Sequence, residues 1–172
     1  MPKTILSSAM LLLGAAAALL LFGTVMCRAQ AQDSAVCSNE TLRGDYAFTI
    51  VGTILAPAPA SGPVSGVAMT HFDGQGEMTQ VDHVVHNGIP PAEEWRPGGG
   101  PYHVNADCTG YMVITPQPTD AQDASPPLRL EFVVGGHGSL IQTVVNGTPV
   151  PSPFSAVITS TGTKVLPSRQ DD

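Results

Sequence analysis

Three histidines, His83, His86 and His103, lie close together in the chain, with Glu93, Glu94 and Trp95 between the second and the third. Imidazole and carboxylate form a donor set that suits zinc and similar ions. A carboxylate beside a histidine can also move protons, and Asp82 or Glu94 would supply it. Spacing decides how such groups can be used. Residues three apart share a face on a helix but point to opposite faces on a strand, so His83 and His86 converge on one ion only if a strand ends or bulges between them. We therefore expect no metal and no cofactor, and we read these histidines as solvated groups on a rim. Asp82 alternates with Val81 and His83, and alternation alone leaves open which of them points inward. A lone strand carboxylate most often faces water, and that is the expectation for Asp82.

Other signatures are turn chemistry. Asp73-Gly74-Gln75-Gly76 begins like a calcium loop but lacks the repeated acidic positions that six to eight oxygen ligands require. Asn39-Glu40-Thr41 and Asn146-Gly147-Thr148 fit the glycosylation triplet, a pattern common by chance. No nucleophile elbow, phosphate loop, dinucleotide fingerprint or H-E-x-x-H stands in the chain.

The elements that must hold these residues are strands. Gly66 to His86 reads as two runs rich in β-branched and apolar residues joined by that Asp-Gly-Gln-Gly turn, which predicts a β-hairpin. Tyr46, Phe48, Ile50 and Ile54 alternate with Asp45, Ala47, Thr49 and Thr53 in a strand over 45–54. Further strands are expected at 102–105, 111–115, 128–134, 140–145 and 154–161, and one helical turn at 38–44. Ala56 to Pro63, Asn87 to Gly100, Pro116 to Pro127 and Asn146 to Pro153 are proline-punctuated loops. The whole reads as an all-β chain, an eight-stranded antiparallel up-and-down (meander) barrel with a short N-terminal helical turn. An immunoglobulin-like sandwich competes, but Trp95 falls in a loop.

In a meander the connections alternate between two ends. The long proline-rich ones then gather at one end and the short glycine turns at the other. Asp82, His83, His86, Trp95, Tyr102 and His103 are expected near the long-loop end, and His71 and His137 near the other. These six are the candidate ligand-binding residues.

Lys3, an apolar run from Ile5 to Met26 and the small-x-small site Ala29-Gln30-Ala31 have the layout of a secretory signal over residues 1–31. An uncleaved anchor is the alternative, since the run is long enough to span a membrane. Cys27 follows Met26, where a lipidation site wants a small residue. The remainder divides into one barrel domain, 32–166, and a disordered tail, 167–172. Beyond the signal five basic residues face fourteen acidic ones. That balance argues against nucleic acid and anionic lipid as partners, and no stable membrane insertion is expected once the signal is cleaved. Oligomeric state is not legible. Cys37 and Cys108 remain, and in an oxidising compartment they are expected to pair. Both fall at the short-turn end, where the helical turn can plug the barrel.

Gly44-Asp45-Tyr46, Phe72-Asp73-Gly74-Gln75-Gly76, and Gly100-Pro101-Tyr102 running through Val104 to Asp107-Cys108-Thr109-Gly110 form a larger pattern. It resembles uncharacterised secreted bacterial β-barrel proteins built on G-x-Y, F-D-G-x-G and G-x-Y-x-V-x-x-D-C-T-G. Its architecture is similar to that of allene oxide cyclase, dirigent and lipocalin-like barrels. The resemblance implies a fold and carries no catalytic residue. Three functions fit: binding of a small apolar molecule at the long-loop end, a cyclase or isomerase using the barrel cavity, or a structural or adhesive secreted domain. The first is the expectation, with the protein secreted or periplasmic.

Overall fold

The computed structural model describes residues 36–56, 58, 61–117, 126–149 and 153–165. The expected signal segment and the tail lie outside the described residues. Eight strands follow one another: β1 (Arg43–Ala56), β2 (Gly62–Asp73), β3 (Glu77–His86), β4 (Arg96–Val104), β5 (Thr109–Pro116), β6 (Leu128–Gly135), β7 (Leu140–Val145) and β8 (Ser155–Lys164). Each pairs antiparallel with the next, and β8 returns to pair with β1, which closes the barrel. Closure leaves no strand edge to template pairing with another chain. The up-and-down barrel read from the sequence is the fold observed.

Period-two alternation drives the arrangement. On β1 the buried residues Tyr46 and Phe48 alternate with exposed Asp45, Ala47 and Thr49. Directly opposed pairs share a face, so the register carries this inward set around the barrel: Tyr46 to Thr70, Thr70 to Gln80, Tyr102 to Met112, Met112 to Leu130.

The short connections lie at one end, and that end is sealed. Tyr46, Phe72 and Tyr102 pack edge to face, with centroids 5.3 and 5.0 Å apart. Leu42 and Ile141 are fully buried beside them. A 3-10 turn at Asn39–Thr41 lies across this layer. Asn39 Oδ1 accepts from the Val104 N–H at 2.8 Å, and its Nδ2 donates to the Gln75 carbonyl at 3.2 Å. The Tyr102 hydroxyl is 3.0 Å from the Leu42 carbonyl oxygen, and the Tyr46 hydroxyl donates to the Gly138 carbonyl. Cys37 and Cys108 form a disulfide across the same end, with Cα atoms 5.0 Å apart.

One strand departs from expectation. β4 begins at Arg96, six residues before the predicted start at Tyr102, so Pro97 to Pro101 are strand and not loop. Prolines and a glycine run read as a breaker, yet here the glycines are what the sheet needs. A Cβ at Gly99 would stand 2.7 Å from the Met78 carbonyl oxygen, closer than any side chain tolerates. Only a glycine lets β3 and β4 approach so closely.

Candidate functional site

Above the sealed layer the barrel is hollow. A cavity of about 540 Å³ runs to the long-loop end, where Pro116, Pro126, Pro153 and Phe154 border it. Its origin lies in the inward positions of three strands. Gly66, Ala68 and Gly98 stand opposite inward-facing Val84, Asp82 and Gln80, and together they contribute a single methyl group. The corresponding positions at the sealed end hold Tyr46, Phe72 and Tyr102, so one end is filled with rings and the other is left open inside.

The wall toward the long-loop end is apolar, with Ile50, Ile54, Val64, Ile114, Leu128 and Ile158 facing inward. Polar groups interrupt it. Asp82 Oδ1 receives Nε and Nη2 of Arg96 at 2.8 and 2.7 Å, and Oδ2 receives Nε2 of Gln80 at 3.2 Å. Thr70 donates toward Gln80 Oε1 at 3.5 Å. On the opposite wall Thr143 and Ser160 hydroxyl oxygens are 2.7 Å apart. Thr70, Gln80, Thr143 and Ser160 are all buried, and among the described residues no buried side-chain nitrogen or oxygen lacks a partner.

The six candidates from the sequence are dispersed. Asp82 and His86 line the cavity, Asp82 facing inward where an outward, solvated carboxylate was expected. His83 points outside: its Nδ1 is 2.6 Å from the Glu94 carbonyl oxygen, and because a carbonyl only accepts, that nitrogen carries the proton. Trp95 packs on His83 with centroids 6.0 Å apart and is about half exposed, away from the cavity lining. Tyr102 and His103 lie at the sealed end instead of the long-loop rim. The early start of β4 is the reason, since it makes them the last residues of that strand and not the first. Tyr102 is buried in the plug, where burial pushes its hydroxyl up to about 12, and His103 is exposed beside Tyr111 on the outer wall. His83, His86 and His103 are therefore not brought together, and no group of three metal-ligating side chains forms among the described residues.

Sequence reasoning missed Arg96, Gln80, Thr70, Thr143 and Ser160. The signal was present. Each of the last four is a polar residue in the period-two slot of an apolar inward face: Thr70 between Ala68 and Phe72, Gln80 two beyond Met78, Thr143 between Ile141 and Val145, Ser160 two beyond Ile158. Arg96 was hidden because it was read as loop.

Chemically, the arrangement is a deep apolar sleeve over a hydrogen-bonding floor. Asp82 has both oxygens engaged by donors, a state that orients a carboxylate more than it frees it to take a proton. Comparison with protein-family models, curated proteins and solved structures gives no match. The site must be read on its own geometry.

Proposed function

We propose that this is an exported binding protein that holds a small, largely apolar molecule inside the barrel, taken up from the long-loop end. The observation that carries the reading is the cavity of about 540 Å³, which falls in the range of sites for small molecules and is walled mainly by aliphatic side chains. Sealing of the opposite end by Leu42, Tyr46, Phe72 and Tyr102 supports it, because a sleeve closed at one end retains a ligand and a through-channel does not. Export, to the periplasm or beyond the cell, is supported by the Cys37–Cys108 disulfide and the signal-like sequence. Among the described residues no helix is long and apolar enough to cross a membrane.

A second reading is a cyclase or isomerase in which the sleeve shapes a reactive substrate. Asp82 and Arg96, which face the cavity, favour it. The engagement of both Asp82 oxygens by donors favours binding over proton transfer.

Fluorescence of the neutral probe N-phenyl-1-naphthylamine tests the proposal. The wild-type protein is expected to enhance it, and Ala68→Phe, which places a ring in the cavity from a buried inward position, is expected to abolish the enhancement while circular dichroism stays unchanged. An equal response from a folded Ala68→Phe protein would sink the reading. Native mass spectrometry of the exported protein is expected to reveal a co-purifying small molecule.

A further inference from the structure

The polar groups of the cavity are not scattered around its rim, as they would be if they only greeted solvent. The uncharged ones occupy one level. Thr70 is the next inward residue after Phe72 on β2, Gln80 the next after Met78 on β3, and Thr143 the next after Ile141 on β7. Phe72, Met78 and Ile141 all belong to the sealed layer, with exposures of 0, 3 and 0%. The floor is therefore polar. Nearer the long loops the wall is mainly aliphatic, from Ile50 and Leu128 to Ile54 and Val64, with the Asp82–Arg96 pair and His86 set into it. This order inverts the usual one, in which an amphiphile keeps its polar end at the mouth and in water.

Resting on the binding function proposed above, we infer that the ligand is an uncharged amphiphile, an alcohol or carbonyl compound with a hydrocarbon body, that enters polar end first and hydrogen-bonds to the floor formed by Thr70, Gln80, Thr143 and Ser160. The floor can serve both roles of such a group. Only one of the two hydroxyl hydrogens of Thr143 and Ser160 lies between their oxygens, which leaves the other to turn toward an acceptor. Gln80 gives one amide hydrogen to Asp82 and retains a second. Hydroxyl lone pairs accept from a donor.

Charge selects against ions. Among the described residues, the ionisable side chains lining the cavity are Asp82, Arg96 and His86. Asp82 and Arg96 neutralise each other at 2.7 Å, and His86, six residues beyond Gln80 on the same strand, lies toward the long-loop end. A carboxylate or ammonium brought to the floor would lose its water and meet no free counter-charge among the described residues.

Displacement of N-phenyl-1-naphthylamine by 1-decanol, decanoate and decyltrimethylammonium tests this, with the protein produced by export to an oxidising compartment. Decanol is expected to displace the probe at a concentration about tenfold or more below that of either ion. In the double variant Thr143→Val with Ser160→Ala both members of a hydrogen-bonded pair are replaced by apolar groups, so no buried partner is orphaned and folding is preserved. With each protein referred to its own measured affinity for the probe, this variant is expected to need roughly 3- to 10-fold more decanol. In crystals soaked with 11-bromo-1-undecanol, the bromine of the wild-type complex is expected beside Ile54, Val64 and Phe154. Bromine beside Thr143, or equal displacement by all three amphiphiles, would overturn the inference and leave the binding function standing. Failure of the naphthylamine probe to bind at all would remove the binding function, and this inference with it.

Discussion

Asp82 on β3 and Arg96 on β4 stand directly opposite each other inside the barrel, with Asp82 Oδ1 2.7 Å from Arg96 Nη2. The two ends of this pair are unequal. The Asp82 side chain is 16% exposed and that of Arg96 38%, so the guanidinium reaches water by its own length and the carboxylate does not.

That inequality predicts the order of two substitutions. Arg96→Gln leaves a nearly enclosed carboxylate without its counter-ion and is expected to cost about 2–3 kcal/mol. Asp82→Asn leaves a cation that water can reach and is expected to cost about 1 kcal/mol. Urea unfolding of both variants checks the order, and a larger loss for Asp82→Asn would mean that water in the cavity solvates the carboxylate.

The Cys37–Cys108 bridge ties residues 71 apart in sequence at the sealed end. Replacing both cysteines with serine is expected to lower stability by about 4 kcal/mol through the greater freedom of the unfolded chain. Because the bridge lies away from the cavity, affinity for the naphthylamine probe is expected to stay within about twofold below the new unfolding transition.

Alkaline pH should act through Tyr102. Its ordinary value of 10.0 is pushed up to about 12 by burial. A raised value means that the folded state holds the proton more tightly, so the contribution is complete below pH 10 and is lost as pH climbs toward 12. Stability measured from pH 9 upward is expected to fall over that window, and Tyr102→Phe should flatten the decline. An unchanged slope in a folded Tyr102→Phe protein would assign the decline to other groups.

Acid should act through the turns. Asp73 Oδ1 accepts the backbone N–H groups of Gln75, Gly76 and Glu77, at 2.6, 2.9 and 3.1 Å. These hydrogen bonds, that of Gln75 first, hold the carboxyl below its ordinary 3.8. Thr109 does the same for Asp107, chiefly through its hydroxyl. A lowered value contributes stability above pH 3.8 that is lost as pH falls through the lower folded value. Asp73→Asn with Asp107→Asn is expected to reduce the pH dependence of the urea midpoint below pH 4, and an unaltered dependence would count against the turns as its source.

Much of the barrel was legible in the chain, because period-two alternation, turn residues and the alternation of long and short connections are local properties. Tyr46, Phe48, Leu130, Phe132 and Ile158 could be assigned inward from spacing alone, and the pairing of Cys37 with Cys108 followed from their being the two cysteines beyond the signal-like segment, with their placement at one end in agreement. Local rules failed at Arg96 to Pro101, where glycines that look like a loop are required by the closeness of the neighbouring strands. That one misplaced boundary sent Tyr102 and His103 to the wrong end of the barrel. The orientation of Asp82 was not written in its neighbours, since Val81, Asp82 and His83 alternate equally well in either phase. Only the register of β3 against β2 and β4 set it, by placing Asp82 opposite Ala68 and Arg96. The hollow itself is a tertiary fact: no strand reveals that its small inward residues will meet those of its neighbours until closure brings them around a common axis.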